Sequence, residues 1–282
     1  MGTDGSSVRP RRFAVIGTPI AHSRSPALHE SAYRALGLPH RYELRDVPAS
    51  ALDAALEELR DGTYDGYNVT APYKVRVLPY VDILDASAAL PECANTLVRA
   101  EDGTLTAVNT DVPALAAELE ELGLTLLPDS RALVLGTGGT ARAAIVALAN
   151  LGFRHVVVRG RRADEGIATF ARGLEAKVQG LAIECLPFVA SATDARFACV
   201  IQATSAPDAA RHAVSWKHLS ESAIAFDVVY AGGRTAFLES AEERGLRCAG
   251  GIGMLVRQGA LAFERWLGVP APLVAMKEAV VI

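Results

Sequence analysis

One stretch of this chain restricts its fold more than any other: residues 133–142 read Leu-Val-Leu-Gly-Thr-Gly-Gly-Thr-Ala-Arg, an apolar strand breaking into a glycine turn. Gly136, Gly138 and Ala141 stand at the spacing of the dinucleotide fingerprint. Glycine at 136 permits a tight turn, glycine at 138 lets the backbone approach a pyrophosphate, and a small residue at 141 lets the following helix pack closely on the strand. That helix offers free N–H groups and its positive dipole end to phosphates. About two dozen residues later, Val156-Val157-Val158 runs into Arg159-Gly160-Arg161-Arg162. An NAD site places an acid at this point for the ribose 2'-hydroxyl, so the arginines favour a 2'-phosphate and hence NADP. Each signal has an ordinary reading alone: glycine suits any strand-to-helix turn, and arginines on a loop are usually just solvated. Together, at the separation of a strand-helix-strand unit, they point to nucleotide binding. An S-adenosylmethionine site, the rival on a similar sheet, would also want an acid where the arginines stand.

At roughly 150 residues per domain, 282 residues imply about two domains. Half the residues are hydrophobic and the net charge is −4, which predicts a substantial core and argues against a nucleic-acid partner. Cys93, Cys185, Cys199 and Cys248 are far apart and form no metal-binding spacing, so no metal is expected and all four read as buried thiols in a reducing cytoplasm. No apolar run reaches membrane-spanning length, and the N-terminus is too polar for a signal peptide. Met1 to Ser6 fits the loose myristoylation pattern, read here as coincidence.

Strand-like and helical runs alternate, the mark of a parallel α/β architecture. Strands are expected over 13–17, 42–47 and 67–70, with helices over 26–36 and 51–60. Asp102-Gly103 marks a hairpin between 95–99 and 105–109. A connecting helix covers 113–122. A second strand series opens at Arg131 and continues over 156–158, 199–203 and 223–229, and the C-terminal part is helical over 253–267 and 273–280.

The chemistry-bearing residues cluster in the first third. Ser23 and Ser25 lie where a strand meets a helix; Ser25 before Pro26 suits an N-cap, whereas Ser23 has no such structural role. His22 and His29 lack metal-site companions and read as structural. Asn68-Val69-Thr70-Ala71-Pro72-Tyr73-Lys74 sits at a strand's carboxyl end, where open α/β sheets bind ligands; taken alone, the lysine reads as solvated. Asn95 begins a hairpin strand. Asp111 precedes a helix and would serve as its N-cap.

Taken together these segments resemble the shikimate dehydrogenase family, over nearly the whole chain from Phe13 to Leu267. The serine loop is similar to the family's G-x-P-I-x-H-S-x-S-P signature, which implies that Ser23 and Ser25 hold a substrate carboxylate. Asn68 and Thr70 stand in the segment that carries the family's catalytic lysine, here Lys74, and Asp111 matches its partner aspartate. Asn95, Tyr230 and Gln258 match further substrate-binding positions. On the coenzyme side the resemblance implies Gly136, Thr137, Gly138, Gly139, Thr140 and Ala141, then Arg159, Gly160, Arg161 and Arg162. It adds Thr204 and Ser205 of a Gln-Ala-Thr-Ser turn, Val228, and Gly251 and Met254 of a G-x-G-M-L run. Arg161 is the main candidate for the 2'-phosphate. The implied molecule has two domains: a discontinuous N-terminal α/β substrate domain (9–111 and 252–282), and a Rossmann-like NADP-binding domain (112–251), the C-terminal helices returning to the first.

The chain departs from the family at Glu92-Cys93, usually Gly-Ala, at Val112-Pro113 after the aspartate, at Gly250, where an acid is common, and at Glu30. No proposed catalytic group is lost, but the exact substrate stays open among shikimate, quinate and aminated analogues. Interconverting a secondary alcohol and a ketone with a nicotinamide needs hydride transfer at carbon and proton transfer at oxygen. Lys74 is expected to handle the proton and Asp111 to orient it. A non-catalytic sensor paralogue is the competing class, and retention of both residues argues against it. The expected protein is cytoplasmic, a monomer or homodimer, with a cyclitol carboxylate as its partner.

Overall fold

The computed structural model describes residues 9–160, 165–188, 196–205, 214–230 and 234–281. They form two six-stranded sheets flanked by helices. The first contains β1 (Arg12–Gly17), β2 (Arg41–Asp46), β3 (Gly66–Val69), β4 (Ile83–Leu84), β5 (Thr96–Arg99) and β6 (Leu105–Val108) in the order β2-β1-β3-β5-β6-β4. Strands β2, β1 and β3 are parallel, joined through α1 (Ser25–Ala35) and α2 (Leu52–Arg60), whereas β5 and β6 form an antiparallel hairpin turning at Gly103, φ +88°. The apolar run of β1 follows from burial on both faces. Phe13 and Val15 pack with Leu28 and Tyr33 of α1, while Ala14 and Ile16 pack with Leu56 and Leu59 of α2.

A short α3 (Ala86–Ala89) precedes β5, and α4 (Asp111–Glu121) leads into the second sheet. That sheet contains β7 (Arg131–Leu135), β8 (His155–Gly160), β9 (Ala182–Pro187), β10 (Phe197–Gln202), β11 (Leu219–Asp227) and β12 (Arg247–Gly250). Its helices are α5 (Gly139–Asn150), α6 (Glu165–Lys177) and α7 (Ala236–Glu242). Every pairing is parallel and the order is β12-β11-β10-β7-β8-β9, so the winding reverses between β7 and β10. Doubly wound sheets bind ligands at such a switch point, beyond the strands' carboxyl ends. The glycine turn after β7 lies there.

Helices α8 (Ile252–Leu267) and α9 (Leu273–Glu278) return to the first sheet, where Leu255, Phe263, Trp266 and Met276 pack with Phe13 and Leu28. The Trp266 indole donates to the Leu97 carbonyl at 3.0 Å. Met254, at the start of α8, packs instead into the core of the second sheet, so one helix ties the two sheets together. Elements β4, β9 and β12, with α6 and α7, extend the series read from the sequence. The three strands lie at or next to sheet edges and are exposed or half-buried, so the continuous apolar run that marks an interior strand never forms. Cys93 and Cys199 are buried as expected, but Cys185 and Cys248 are only half-buried, on the outer strands β9 and β12. Among the described residues no helix is long and apolar enough to cross a membrane, and no group of three or more His, Cys, Asp or Glu could hold a metal.

Candidate active site

Lys74 follows β3 on a loop fixed from both sides. The Tyr73 hydroxyl beneath it donates to the Val47 carbonyl at 2.6 Å, and the Lys74 carbonyl accepts from Ala94 N–H at 2.7 Å. Its ammonium donates to Asp111 Oδ2 at 2.5 Å and to Thr140 Oγ1 at 3.1 Å, with the lysine side chain 12% exposed and the aspartate 4%. Asp111 does not cap α4. The carboxamide of Asn109 accepts from Val112 N–H at 3.1 Å and takes that task, so both Asp111 oxygens serve side chains: Oδ2 faces Lys74 and Oδ1 accepts from Asn95 Nδ2 at 2.9 Å. Capping by a residue two positions earlier thus leaves the carboxylate available to the site.

Asn95 gathers the surrounding groups. Its Nδ2 also approaches Thr110 Oγ1 at 2.8 Å and Gln258 Oε1 at 3.2 Å, while its Oδ1 accepts from Thr110 N–H at 2.8 Å. Gln258 therefore brings α8 to the same point as β5 and α4. Asn68 is adjacent but committed to the frame: Oδ1 accepts from the Tyr42 hydroxyl at 2.6 Å, and Nδ2 donates to Asn95 O at 3.2 Å and Thr96 Oγ1 at 3.1 Å. Burial holds the Tyr42 phenol well above its ordinary pKa, so it stays protonated, and its ring stacks on His29 at 4.3 Å. Complete burial in turn pushes the His29 imidazole down to about 3 and keeps it neutral.

The serine loop inverts the expected division of labour. Ser25 opens α1 at its first helical position without capping it, whereas Ser23 Oγ accepts from Ser25 N–H at 3.3 Å. Ser25 is buried. Thr70 is half-buried at the end of β3, and Tyr230, beyond β11, packs against the first sheet's aromatic cluster. Sequence reasoning missed Tyr42 and Thr110 as organisers of the site. Each had an ordinary structural reading, as a strand aromatic and a helix-boundary threonine.

The coenzyme side is built from turns. Gly136 has φ +121°, and a Cβ there would lie 2.7 Å from the Ala203 carbonyl. Only glycine fits. Gly138 is exposed, a Cβ on it would meet nothing within 4 Å, and no side chain caps α5. The open space and the free end of the helix suit a pyrophosphate. Thr137 and Gly139 flank this opening, and Ala141 is fully buried. Arg159 is buried at the end of β8, its carbonyl accepting from Gly136 N–H at 2.7 Å. Gly160 closes the strand. Arg161 and Arg162 lie outside the described residues.

The turn after β10 is held by Gln202, whose Oε1 accepts from Thr204 N–H at 2.5 Å and whose Nε2 donates to Thr204 O at 3.0 Å and Asp227 Oδ1 at 3.4 Å. Asp227 also accepts from Val229 N–H at 2.9 Å and Thr235 Oγ1 at 2.5 Å. Burial raises its pKa, and the hydrogen bonds from Thr235, Val229 and Gln202 oppose that rise. Ser205 is exposed beside this turn. A Cβ on Gly251 would overlap the Val228 carbonyl, so glycine sets the close approach of β11 to α8, just before the buried Met254.

The model of the shikimate dehydrogenase substrate binding domain matches residues 15–97, and that of the shikimate 5'-dehydrogenase C-terminal domain matches residues 251–281. Shikimate dehydrogenase (NADP(+)) of Methylobacterium radiotolerans is 38% identical over 276 residues, 95% of each chain. Shikimate 5-dehydrogenase of Thermus thermophilus, solved in complex with NADP(H) and shikimate, superposes with a TM-score of 0.79 at 35% identity, covering 96% of this chain and 98% of its own. The ligand-free 5-ketofructose reductase of Gluconobacter sp. strain CHM43 is similar at a TM-score of 0.79 and 29% identity, over 96% and 98% of the two chains. The order of the motifs, the doubly wound second sheet and these likenesses along the whole length agree: the chain belongs to the shikimate dehydrogenase family.

Proposed function

We propose that this protein is an NADP-dependent oxidoreductase that interconverts 3-dehydroshikimate and shikimate. The observation that carries the reading is a hydrogen-bonded chain, Lys74 to Asp111 to Asn95 to Gln258, whose lysine end meets Thr140 of the glycine turn. Residues 9–111 and 252–282 make the substrate half, with Ser23, Ser25, Thr70 and Tyr230 around the ring and its carboxylate and Asn68 holding the frame. Residues 112–251 make the coenzyme half. The open face of Gly138 and the uncapped α5 fit a pyrophosphate, Arg159 and Arg161 the 2'-phosphate, and Thr204, Val228 and Met254 the nicotinamide side. A bound NADP would supply the hydride chemistry at the substrate carbon.

The chain's own residues handle the rest. Lys74 gives a proton to the carbonyl oxygen during reduction and accepts it from the hydroxyl during oxidation. Asp111 fixes the lysine, and Asn95, itself fixed by Thr110, holds the aspartate. The partner is a small cyclitol carboxylate and no nucleic acid. The protein acts in the cytoplasm as a monomer or homodimer.

Steady-state kinetics with NADP and NAD, across shikimate, quinate, aminoshikimate and the 5-ketofructose couple, test the reading. The highest kcat/KM is expected for shikimate with NADP. A charge-assisted arginine–phosphate contact near solvent supports a coenzyme preference of about tenfold. A higher kcat/KM on another substrate, a preference for NAD, or binding without turnover contradicts it.

A further inference from the structure

The first turn of α5 rests directly on the catalytic lysine. A Cβ on Gly139 would lie 2.6 Å from Lys74 Cβ, so the missing side chain lets the turn meet the lysine's methylenes. Beside it, the Cys93 thiol donates to the Gly139 carbonyl at 3.2 Å. Burial, reinforced by the charge of Asp111, pushes that thiol up to about 12, so it remains a donor. One turn further along, Glu92 pairs with Arg142 at 3.5 Å and with Lys177 of α6 at 3.4 Å, from a backbone with φ +48°. The seam therefore uses Glu92 and Cys93, the positions where the chain departs from the usual Gly-Ala. At its centre the Thr140 hydroxyl accepts from Lys74 Nζ at 3.1 Å.

We infer that Thr140 is a positioning residue for Lys74: its hydroxyl, carried on the coenzyme turn, takes one ammonium N–H while Asp111 takes another, and so fixes the third for the reacting oxygen. An ammonium has three donors and a flexible stem, so one acceptor leaves it free to swing and two from different directions leave it one orientation. The second acceptor belongs to the coenzyme sheet, so the lysine is fully oriented only when that sheet is closed on the first. The inference rests on Lys74 as the proton-transfer group of the proposed reaction.

Thr140→Val keeps the shape and removes the hydroxyl, and Thr140→Ser keeps the hydroxyl. Losing a hydrogen bond from a charged donor at a partly open site corresponds to about tenfold. Thr140→Val is expected to lower kcat about tenfold, with the Kd for NADPH, read by fluorescence titration, staying within about twofold of wild type. Thr140→Ser should recover most of kcat. In a Lys74→Ala background Thr140→Val should have no further effect, as for residues acting through one group. Wild-type kcat in Thr140→Val overturns the inference. So does an equal loss in Thr140→Ser, a loss matched by weaker NADPH binding, or a full further loss without Lys74. A Lys74→Ala enzyme that keeps its turnover overturns the underlying reading instead, and is recognised separately.

Discussion

A hydroxyl that satisfies a helix end and one that holds a ligand respond differently to alanine. Ser23 Oγ accepts from the first backbone N–H of α1, while the Ser25 side chain is buried and caps nothing. Ser23→Ala is expected to lose about 0.5–1 kcal/mol of stability in urea titrations and to raise the KM for shikimate. Ser25→Ala is expected to raise KM by a factor of about ten with kcat little changed, as when ground-state and transition-state binding are lost together. Normal substrate affinity in Ser25→Ala contradicts its carboxylate contact. Lys74, Asp111, Asn95 and Gln258 were legible because each stands in an ordered motif. Asp111 looked like a cap because sequence order places it before a helix, and only the fold reveals that Asn109 reaches the helix end first. Tyr42 could not be read as a partner of the site, and Thr140 was read only on the coenzyme side, not as a partner of Lys74. The contacts that define them, to Asn68 and Lys74, join residues 26 and 66 positions apart.

At the scale of elements, the strands and helices that make the two cores were readable because burial on both faces writes a continuous apolar run, as in β1 and β7. The outer strands β9 and β12 carry no such run. Junctions matter more than interiors here. Gly251 joins β12 to α8 where the chain passes the Val228 carbonyl, and any side chain overlaps that oxygen. Its backbone lies at φ −72°, so the constraint is space and not backbone conformation. Gly251→Ala should therefore destabilise the protein by about 1–3 kcal/mol in denaturant titrations, as overpacking against rigid backbone does. Stability equal to or above wild type would mean that the turn yields, and that the approach of β11 to α8 is not fixed by this glycine.

Across the whole molecule, the site exists only where two sheets meet. Lys74 comes from the first sheet and Thr140 from the second, Asp111 from the helix between them, and Gln258 from the helix that returns. The division of labour was legible from two glycine- and serine-rich turns in fixed order. How the halves close was not, because Glu92, Cys93 and Arg142 look like surface and core residues until the fold opposes them. The central claim is that this convergence transfers a proton through Lys74. Its most direct test is the turnover of Lys74→Ala with shikimate and NADP, read beside shikimate binding to the same variant. The expected result is a kcat lower by about 100-fold to 10,000-fold, the range for a lost general acid–base group, with substrate affinity changed far less. A Lys74→Ala enzyme with near wild-type kcat would contradict it.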